Sequence, residues 1–220
     1  MRKQPRTLLI GGTQAASGKS LLTLAFANVL VDQQLSVTII ECQKNVLTWT
    51  RISHSKRHQW QTDVETAEQL ETCWFDLQTI TTDYLLIDLQ TTGAEYASET
   101  WLLNNCWLPL ADQVILTYAA TTDVNNQLFE DLGRLQFSME YTNSNPQLYT
   151  VFNEYAAKTP VAQTIAVPEM GAFHREFFME HAEFVALDVQ PLGRLRNARQ
   201  RPQLVLADAE DLLSKLKLIA

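Results

Sequence analysis

The sequence lacks the features that mark disulfide, metal and membrane proteins. Cys42, Cys73 and Cys106 are odd in number and widely spaced, and the four histidines do not join them in a metal-ligand spacing. No apolar run approaches the roughly 20 residues of a membrane span. The apolar residues after Arg2 and Lys3 are too few for a secretory signal peptide. We therefore expect reduced, buried thiols in a cytoplasmic protein.

What the chain does contain is an ordinary globular composition. Its 220 residues are 46% apolar and 19% charged, which is enough apolar material for a sizeable core. There is no internal repeat, low-complexity tract or clear linker, so we expect a single domain over residues 1–220. The net charge of −8 argues against a chain whose whole surface binds nucleic acid, although it leaves room for a local basic patch.

Segments with the periodicity of strands and of helices alternate along the chain. Strands are predicted at residues 7–10, 36–41, 84–89, 113–118, 147–152 and 163–167. Helices are predicted at residues 20–31, 64–79, 98–107, 123–140, 170–181 and 209–218. The polar residues 43–62 are interpreted as a long loop. This alternation is typical of an α/β fold with a mainly parallel twisted sheet and helices on both faces.

A small-residue loop follows the first apolar strand and ends in Gly18-Lys19-Ser20, where the first helix begins. In phosphate-binding loops, backbone N–H groups of the loop and of the helix N-terminus face an anion. Lys19 would reach the terminal phosphates, and the Ser20 hydroxyl would bind Mg²⁺. The candidate nucleotide-binding residues of this loop are Gly12, Thr13, Gln14, Ala15, Ala16, Ser17, Gly18, Lys19, Ser20 and Leu21. The sequence therefore predicts a nucleoside triphosphate site.

Asp88 supports this interpretation, because it ends the apolar run of residues 84–87 in the most buried-looking predicted strand of the chain. A carboxylate at that position would help to hold Mg²⁺ in a P-loop enzyme. The carboxyl ends of parallel strands share one edge of a sheet, so Asp88 is expected near Ser20. The alternative is an aspartate that only caps the loop after the strand.

The order of these parts resembles the ParA/MinD family of P-loop ATPases, which have a SIMIBI-type fold. Residues 12–20 are similar to the deviant Walker A loop, residues 85–88 to the Walker B strand, and residues 111–115 to the strand that follows it. Asn153 falls where the family contacts adenine, and Pro168 where it lines the base pocket. The resemblance implies ATP and Mg²⁺ as cofactors, and an ATP-dependent homodimer that takes part in plasmid partition or positions another DNA or protein cargo with a partner protein.

The chain departs from the family pattern at two positions. The signature lysine falls on Gln14, and the second switch aspartate falls on Gln43. An amide cannot neutralise phosphate charge as lysine does, and it can orient the attacking water but cannot accept its proton. With Lys19, Gln43 and Asp88 as catalytic candidates, the resemblance implies ATP binding with slow or partner-stimulated hydrolysis.

Two other functions remain open. The spacing Gly12-Thr13-x-x-x-x-Gly18-Lys19-Ser20 also resembles the loop of dethiobiotin synthetase and the related cobyrinate amidoligases, which are ATP-dependent ligases. Lys44 lies near the position of their catalytic lysine, but the proline that should follow it is absent. The third function is a pseudo-ATPase, a binding module that holds nucleotide without turnover, which Gln14 and Gln43 would explain.

Two basic segments could contact partners. The arginines of the first are Arg194, Arg196, Arg199 and Arg201. Clustered cations contact phosphates without reading sequence, and the family resemblance implies non-specific DNA binding at this segment. The alternative is a solvated positive loop. The second segment, residues 51–58, is expected near the nucleotide-binding face, where it could couple the ATP state to a partner, unless it is only a surface loop.

Overall fold

Eight strands form one sheet in the computed structural model, which describes residues 4–13, 17–53, 56–89, 97–119, 124–153, 182–187, 210, 213, 214 and 216–219. The strands are β1 (Arg6–Gly11), β2 (Val37–Gln43), β3 (Val46–Ser53), β4 (Lys56–Asp63), β5 (Tyr84–Leu89), β6 (Gln113–Ala119), β7 (Gln147–Asn153) and β8 (Ala182–Leu187). Their order across the sheet is β4-β3-β2-β5-β1-β6-β7-β8. The two pairs that involve β3 are antiparallel, and the other five are parallel. The mainly parallel sheet that the sequence predicts is confirmed.

The helices lie close to their predicted positions. They are α1 (Lys19–Asp32), α2 (Ala67–Gln78), α3 (Ala97–Leu102), α4 (Leu108–Leu110) and α5 (Val124–Thr142), and a π-helical turn (Leu103–Trp107) joins α3 to α4. Thr66 caps α2 through a reciprocal capping box with Gln69, which explains where that helix begins. Among the described residues, no helix has the length and apolar character needed to cross a membrane.

The sheet carries a hydrophobic core on each face, because alternate side chains of a strand point to opposite sides. Leu9 and Ile87 belong to the core under α2, α3, α4 and α5. Leu8 and Ile10 belong to the core under α1 and the C-terminal residues, where Phe26 is fully buried. Each such side chain contributes about 1.5–3 kcal/mol by leaving water. The predicted cover of helices on both faces is therefore confirmed.

Residues 46–53 and 56–63 pair as the antiparallel strands of a β-hairpin, whereas the sequence predicts a long loop over residues 43–62, so that prediction is wrong. β3 pairs with β2 on one side and with β4 on the other. Trp49 of β3 stacks on Trp60 of β4 with ring centroids 5.6 Å apart and planes 9° from parallel. The sequence of β4 does not predict a strand, because its side chains are polar and largely exposed and show no apolar alternation.

The direction in which the hairpin pairs with β2 also shows that the basic segment does not lie where the sequence analysis expects it. Val46 pairs with Gln43 at the carboxyl end of β2, whereas Ile52 pairs with Val37 at its start. Since β2 and β1 both run parallel to β5, the carboxyl end of β2 is the edge where β1 enters its loop. Residues 51–53 and 56–58 therefore lie at the opposite edge of the sheet, and the prediction that this basic segment adjoins the nucleotide face is wrong.

Part of the C-terminal third of the chain can be compared with the sequence predictions. β8 was not predicted, because a short apolar run does not distinguish a strand from a helix by periodicity. β8 pairs in parallel with β7. The strand predicted at 163–167, the helix predicted at 170–181 and much of the helix predicted at 209–218 lie outside the described residues, although Glu210, Leu213 and Ser214 are helical.

Candidate functional site at the carboxyl edge of the sheet

The candidate phosphate loop begins at Gly12, which lies against the neighbouring strand β6. A Cβ atom at Gly12 would lie 2.9 Å from the backbone oxygen of Thr117 and 3.4 Å from its nitrogen. The φ angle of Gly12 is 128°, a conformation that residues with a side chain rarely adopt. Only glycine lets β1 pass this close to β6, so Gly12 fixes the direction in which the loop leaves the sheet.

The loop ends at Gly18, the N-cap residue of α1. Gly18 has φ 96° and ψ 11°, in the left-handed region, and no described side chain caps the helix. The first backbone N–H groups of a helix have no partner within the helix, so the start of α1 favours an anion. Leu21 follows in the first turn and is half-buried. Gln14, Ala15 and Ala16 lie outside the described residues.

Lys19 is a buried cation in the first turn of α1. Its side chain is only 7% exposed, and its ammonium group donates to the Ser17 hydroxyl at 3.3 Å. Burial lowers the pKa of Lys19, while the nearby carboxylates of Asp88 and Asp131 act in the opposite direction. A buried ammonium group needs anionic partners, and the terminal phosphates of a nucleotide would supply more of them.

Asp88 is the second-last residue of the buried strand β5, which lies between β1 and β2. It is 3% exposed, and it lies opposite Ile10 on one side and Glu41 on the other. Burial raises the pKa of Asp88; the hydrogen bond to Ser20 and the charge of Lys19 lower it, and the charge of Glu41 raises it further. The structure thus brings a hydroxyl, an ammonium group and two carboxylates together at one edge of the sheet.

These residues fit a hydrated magnesium ion. Among the described residues, the Asp88 Oδ1 atom is buried without a hydrogen-bond partner, as expected of an oxygen that faces a metal-bound water. The described part of the chain contains no cluster of three or more histidine, cysteine or acidic residues able to hold a metal alone. Mg²⁺ commonly binds through one or two protein ligands, several waters and substrate phosphates, and Ser20 and Asp88 would serve here.

Asp131 of α5 is a residue of the site that the sequence did not reveal. It is fully buried, and its Oδ2 atom accepts hydrogen bonds from the Thr13 N–H at 2.9 Å, the Thr13 hydroxyl at 3.1 Å and the Tyr118 hydroxyl at 2.7 Å. Burial, followed by the charge of Asp131, raises the pKa of Tyr118. The local signal was an acid on the helix face that also carries Leu128 and Leu135.

The remaining candidate residues are placed only in part. Gln43 is exposed at the end of β2, and Asn153 ends β7, so both lie at the carboxyl edge that the phosphate loop occupies. Their roles stay predictions. Pro168 and the basic-segment arginines Arg194, Arg196, Arg199 and Arg201 lie outside the described residues.

An open cavity of about 810 Å³ lies at the opposite edge, where β1 and β5 begin. Arg6, Asp83 and Asp112 are among its lining residues. In parallel α/β sheets, ligands bind outside the carboxyl ends of the strands. We therefore place the candidate nucleotide site at Gly12 and Lys19 and not in this cavity.

Three features define the P-loop class of nucleotide-binding folds. The sheet is mainly parallel, a loop that ends in Gly18 joins β1 to Lys19 at the start of α1, and an acid lies near the end of the adjacent strand β5. Comparison with solved structures narrows the fold within that class. A Borrelia burgdorferi protein assigned to plasmid partition, solved with AMPPNP, is 14% identical and has a TM-score of 0.63, with 99% of this chain and 100% of that chain covered.

Two further solved structures have a similar fold. The ATP complex of a McdA variant from Cyanothece is 13% identical over 99% of this chain and 98% of that one, with a TM-score of 0.61. The MinD cell division protein of Aquifex aeolicus is 14% identical over 95% and 97%, with a TM-score of 0.57. No protein-family model and no curated protein sequence matches the chain. The chain has the ParA/MinD-like fold that the sequence predicts.

Proposed function

We propose that this chain binds ATP and Mg²⁺ at the carboxyl edge of its sheet and acts as a partition or positioning ATPase of the ParA/MinD kind. The observation that carries the proposal is the buried ammonium group of Lys19, which follows the left-handed Gly18 and interacts electrostatically with Asp88. The same fold in proteins solved with AMPPNP and with ATP supports the choice of ligand.

Each residue of the edge has a role in this proposal. The N–H groups of the loop and of α1 hold the phosphates, and Lys19 neutralises the terminal ones. Ser20 and Asp88 hold the magnesium ion, and Glu41 adds negative charge beside Asp88. The ion, when bound, neutralises charge on the phosphate chain. Asn153 and Pro168 contact the adenine base.

Hydrolysis is slow in this proposal unless a partner protein stimulates it. Gln43, exposed at the end of β2, orients the attacking water but cannot accept its proton. Gln14 cannot supply the charge that a lysine would add at the phosphates. Nucleotide binding favours a homodimer that pairs through the carboxyl edges.

The test of nucleotide binding is Lys19→Ala. Loss of one charged partner of a phosphate costs about 1.5–3 kcal/mol, so the affinity for a non-hydrolysable ATP analogue with Mg²⁺ is expected to fall about 10- to 100-fold. Titration calorimetry measures this affinity, and a thermal melt confirms that the variant is folded. Lys217→Ala, which removes an exposed lysine, is the matched control. Unchanged ATP affinity in Lys19→Ala would remove the basis of the proposal.

The proposed DNA cargo is tested separately. Replacement of Arg194, Arg196, Arg199 and Arg201 by alanine is expected to weaken binding to duplex DNA and to reduce its salt dependence. The titration is done without nucleotide, with ADP and with ATP, at low and at physiological salt. Binding that requires ATP favours the positioning function over the ligase function. If the wild-type protein does not bind DNA without nucleotide, with ADP or with ATP, the proposed cargo is a protein.

A further inference from the structure

The strand β4 carries opposite charges at its two ends. Lys56, Arg57 and His58 are exposed at its start, and Asp63 is exposed at its end. Glu65 is also exposed, two residues beyond Asp63. Within the described part of the chain, neither Lys56 nor Arg57 forms an ion pair. The strand is therefore basic at one end and acidic at the other.

β4 is also an edge of the sheet. Among the described strands it pairs with β3 alone, over its eight residues. Alternate backbone N–H and C=O groups of such a strand point away from its neighbour, and they can hydrogen-bond another strand. Four consecutive residues, 56–59, are exposed on both faces of the strand, so no side chain of the described residues covers this half of the edge.

An aromatic side chain lies at the centre of the edge. Trp60 is half-buried, and it stacks on Trp49 at 5.6 Å and on His58 at 5.2 Å between ring centroids. Its position is therefore fixed before any partner arrives, which lowers the entropy lost on association. Trp60 lies three residues from both Arg57 and Asp63, and this spacing gives the strand a symmetric centre.

We propose that two copies of this chain pair through antiparallel β4 strands, with a twofold axis at Trp60. Residues opposite each other in a sheet point to the same face, so such an axis must pair positions of the same parity. An axis at Trp60 places Trp60 opposite Trp60 of the partner subunit. It also places Arg57 opposite Asp63 of the partner subunit, and Asp63 opposite Arg57 of the partner subunit. Both ends of the pairing are then complementary in charge.

The same arrangement keeps like charges apart. The two Arg57 residues would be separated by six strand positions, or about 20 Å. Lys56 would lie opposite Val64 of the partner subunit, close to the partner subunit's Glu65. A parallel pairing would lose these matches. An antiparallel pairing shifted by two residues would replace the contact of Arg57 with Asp63, which lies within β4, by one with Glu65, which lies beyond its end. The charges therefore favour the register centred on Trp60. Acidic peptides and nucleic acid could use only the basic half of the strand.

The interface is small. A single pair of eight-residue strands buries less than the roughly 1,200–2,000 Å² of stable interfaces, so the dimer is expected to be reversible and salt-sensitive. It lies on the flank of the sheet and not at the carboxyl edge, so it requires no nucleotide. The inference therefore does not rest on the proposed function.

The test is a charge exchange followed by sedimentation velocity over a range of concentrations, without nucleotide. Arg57→Asp places two aspartates opposite each other, and Asp63→Arg places two arginines opposite each other. Each variant is expected to be monomeric where the wild type dimerises. An equimolar mixture of the two is expected to dimerise, because every Asp–Arg pair is then restored. Lys217→Glu, which changes the charge by the same amount as Arg57→Asp, is the control and dimerises as the wild type does.

Three results would overturn the inference. The wild type could stay monomeric at every concentration, either single variant could dimerise as the wild type does, or the mixture could stay monomeric. Thermal melts of both single variants show that they are folded. Dimerisation of the mixture shows that each variant can still pair, so loss of dimerisation in the single variants is not due to misfolding. A wild-type monomer that binds duplex DNA or an acidic peptide through Arg57 would assign the edge to that partner instead.

Discussion

At the scale of single residues, the hydrogen bonds between Thr13 and Asp131 account for the presence of both side chains at this site. Thr13 stands where the plain P-loop pattern has its first glycine, and glycine could not form the hydroxyl hydrogen bond that Thr13 donates to Asp131 at 3.1 Å. Asp131 in turn satisfies the Thr13 N–H and the buried Tyr118 hydroxyl. The departure from the motif therefore has a physical consequence, because it ties Thr13 at the start of the loop to α5.

Replacement of Asp131 by asparagine tests whether this tie positions the loop. The amide oxygen can accept hydrogen bonds but lacks the charge that strengthens them, so we expect a loss of about 1–3 kcal/mol in the free energy of unfolding. We also expect the affinity for an ATP analogue to fall about tenfold, because Thr13 at the start of the loop loses its charged hydrogen-bond acceptor on α5. Urea unfolding and calorimetric titration measure the two effects.

The matched control is Asp112→Asn. Asp112 accepts a hydrogen bond from the Thr7 N–H at 2.7 Å, at the other end of β1 from the phosphate loop. This variant is expected to lose stability without losing nucleotide affinity. If Asp131→Asn kept the wild-type affinity despite the same loss of stability, Asp131 would be a structural residue only.

At the scale of elements, local signals account for what the sequence predicted. The predicted helix at residues 20–31 differs from α1 by one residue at each end, and β5 has the bounds predicted for it. Both follow from runs of apolar residues bounded by glycine, serine or aspartate, which need no knowledge of the rest of the chain. Lys19, Ser20 and Asp88 were found in the same way, because each lies directly at the end of such a run.

The elements and residues that the sequence did not predict depend on distant partners. β4 is a strand because Trp60 stacks on Trp49 and because β3 supplies its hydrogen bonds, not because its own residues favour one. The same holds for Asp131, which meets Thr13 across 118 positions of the chain. The position of Arg51 and Ile52 near the start of β2 follows from the direction in which β3 pairs with β2, and no pattern within residues 51–58 encodes that direction.

At the scale of the whole molecule, the three cysteines lie in one core. Cys42 comes from β2, Cys73 from α2 and Cys106 from the π-helical turn, and all three are free and buried. Burial raises the pKa of each thiol, that of Cys73 to about 12. The packing of this core against the sheet therefore requires protonated thiols, which links the stability of the fold to pH.

The sign of that link follows from the raised pKa values. In the unfolded chain a thiol ionises near pH 9.0, whereas in the folded chain Cys73 stays protonated until about pH 12. Ionisation thus favours the unfolded state, and each thiol contributes stability that is complete below pH 9 and is lost as the pH rises toward 12. The limiting slope is about 1.4 kcal/mol per pH unit for each thiol. The free energy of unfolding in urea is therefore expected to fall steeply in this range.

A variant with alanine at Cys42, Cys73 and Cys106 distinguishes the effect of the thiols on the pH dependence of stability from that of other groups that titrate at high pH. It is less stable near neutrality because its core is less well filled, but its stability should fall less steeply above pH 9. Tyr118, whose pKa burial also raises, is present in both proteins and accounts for the slope that remains. A thiol reagent should label the wild type only at the rate of unfolding. Equal alkaline slopes in the two proteins, or rapid labelling of the native state, would mean that these thiols are not held in the core.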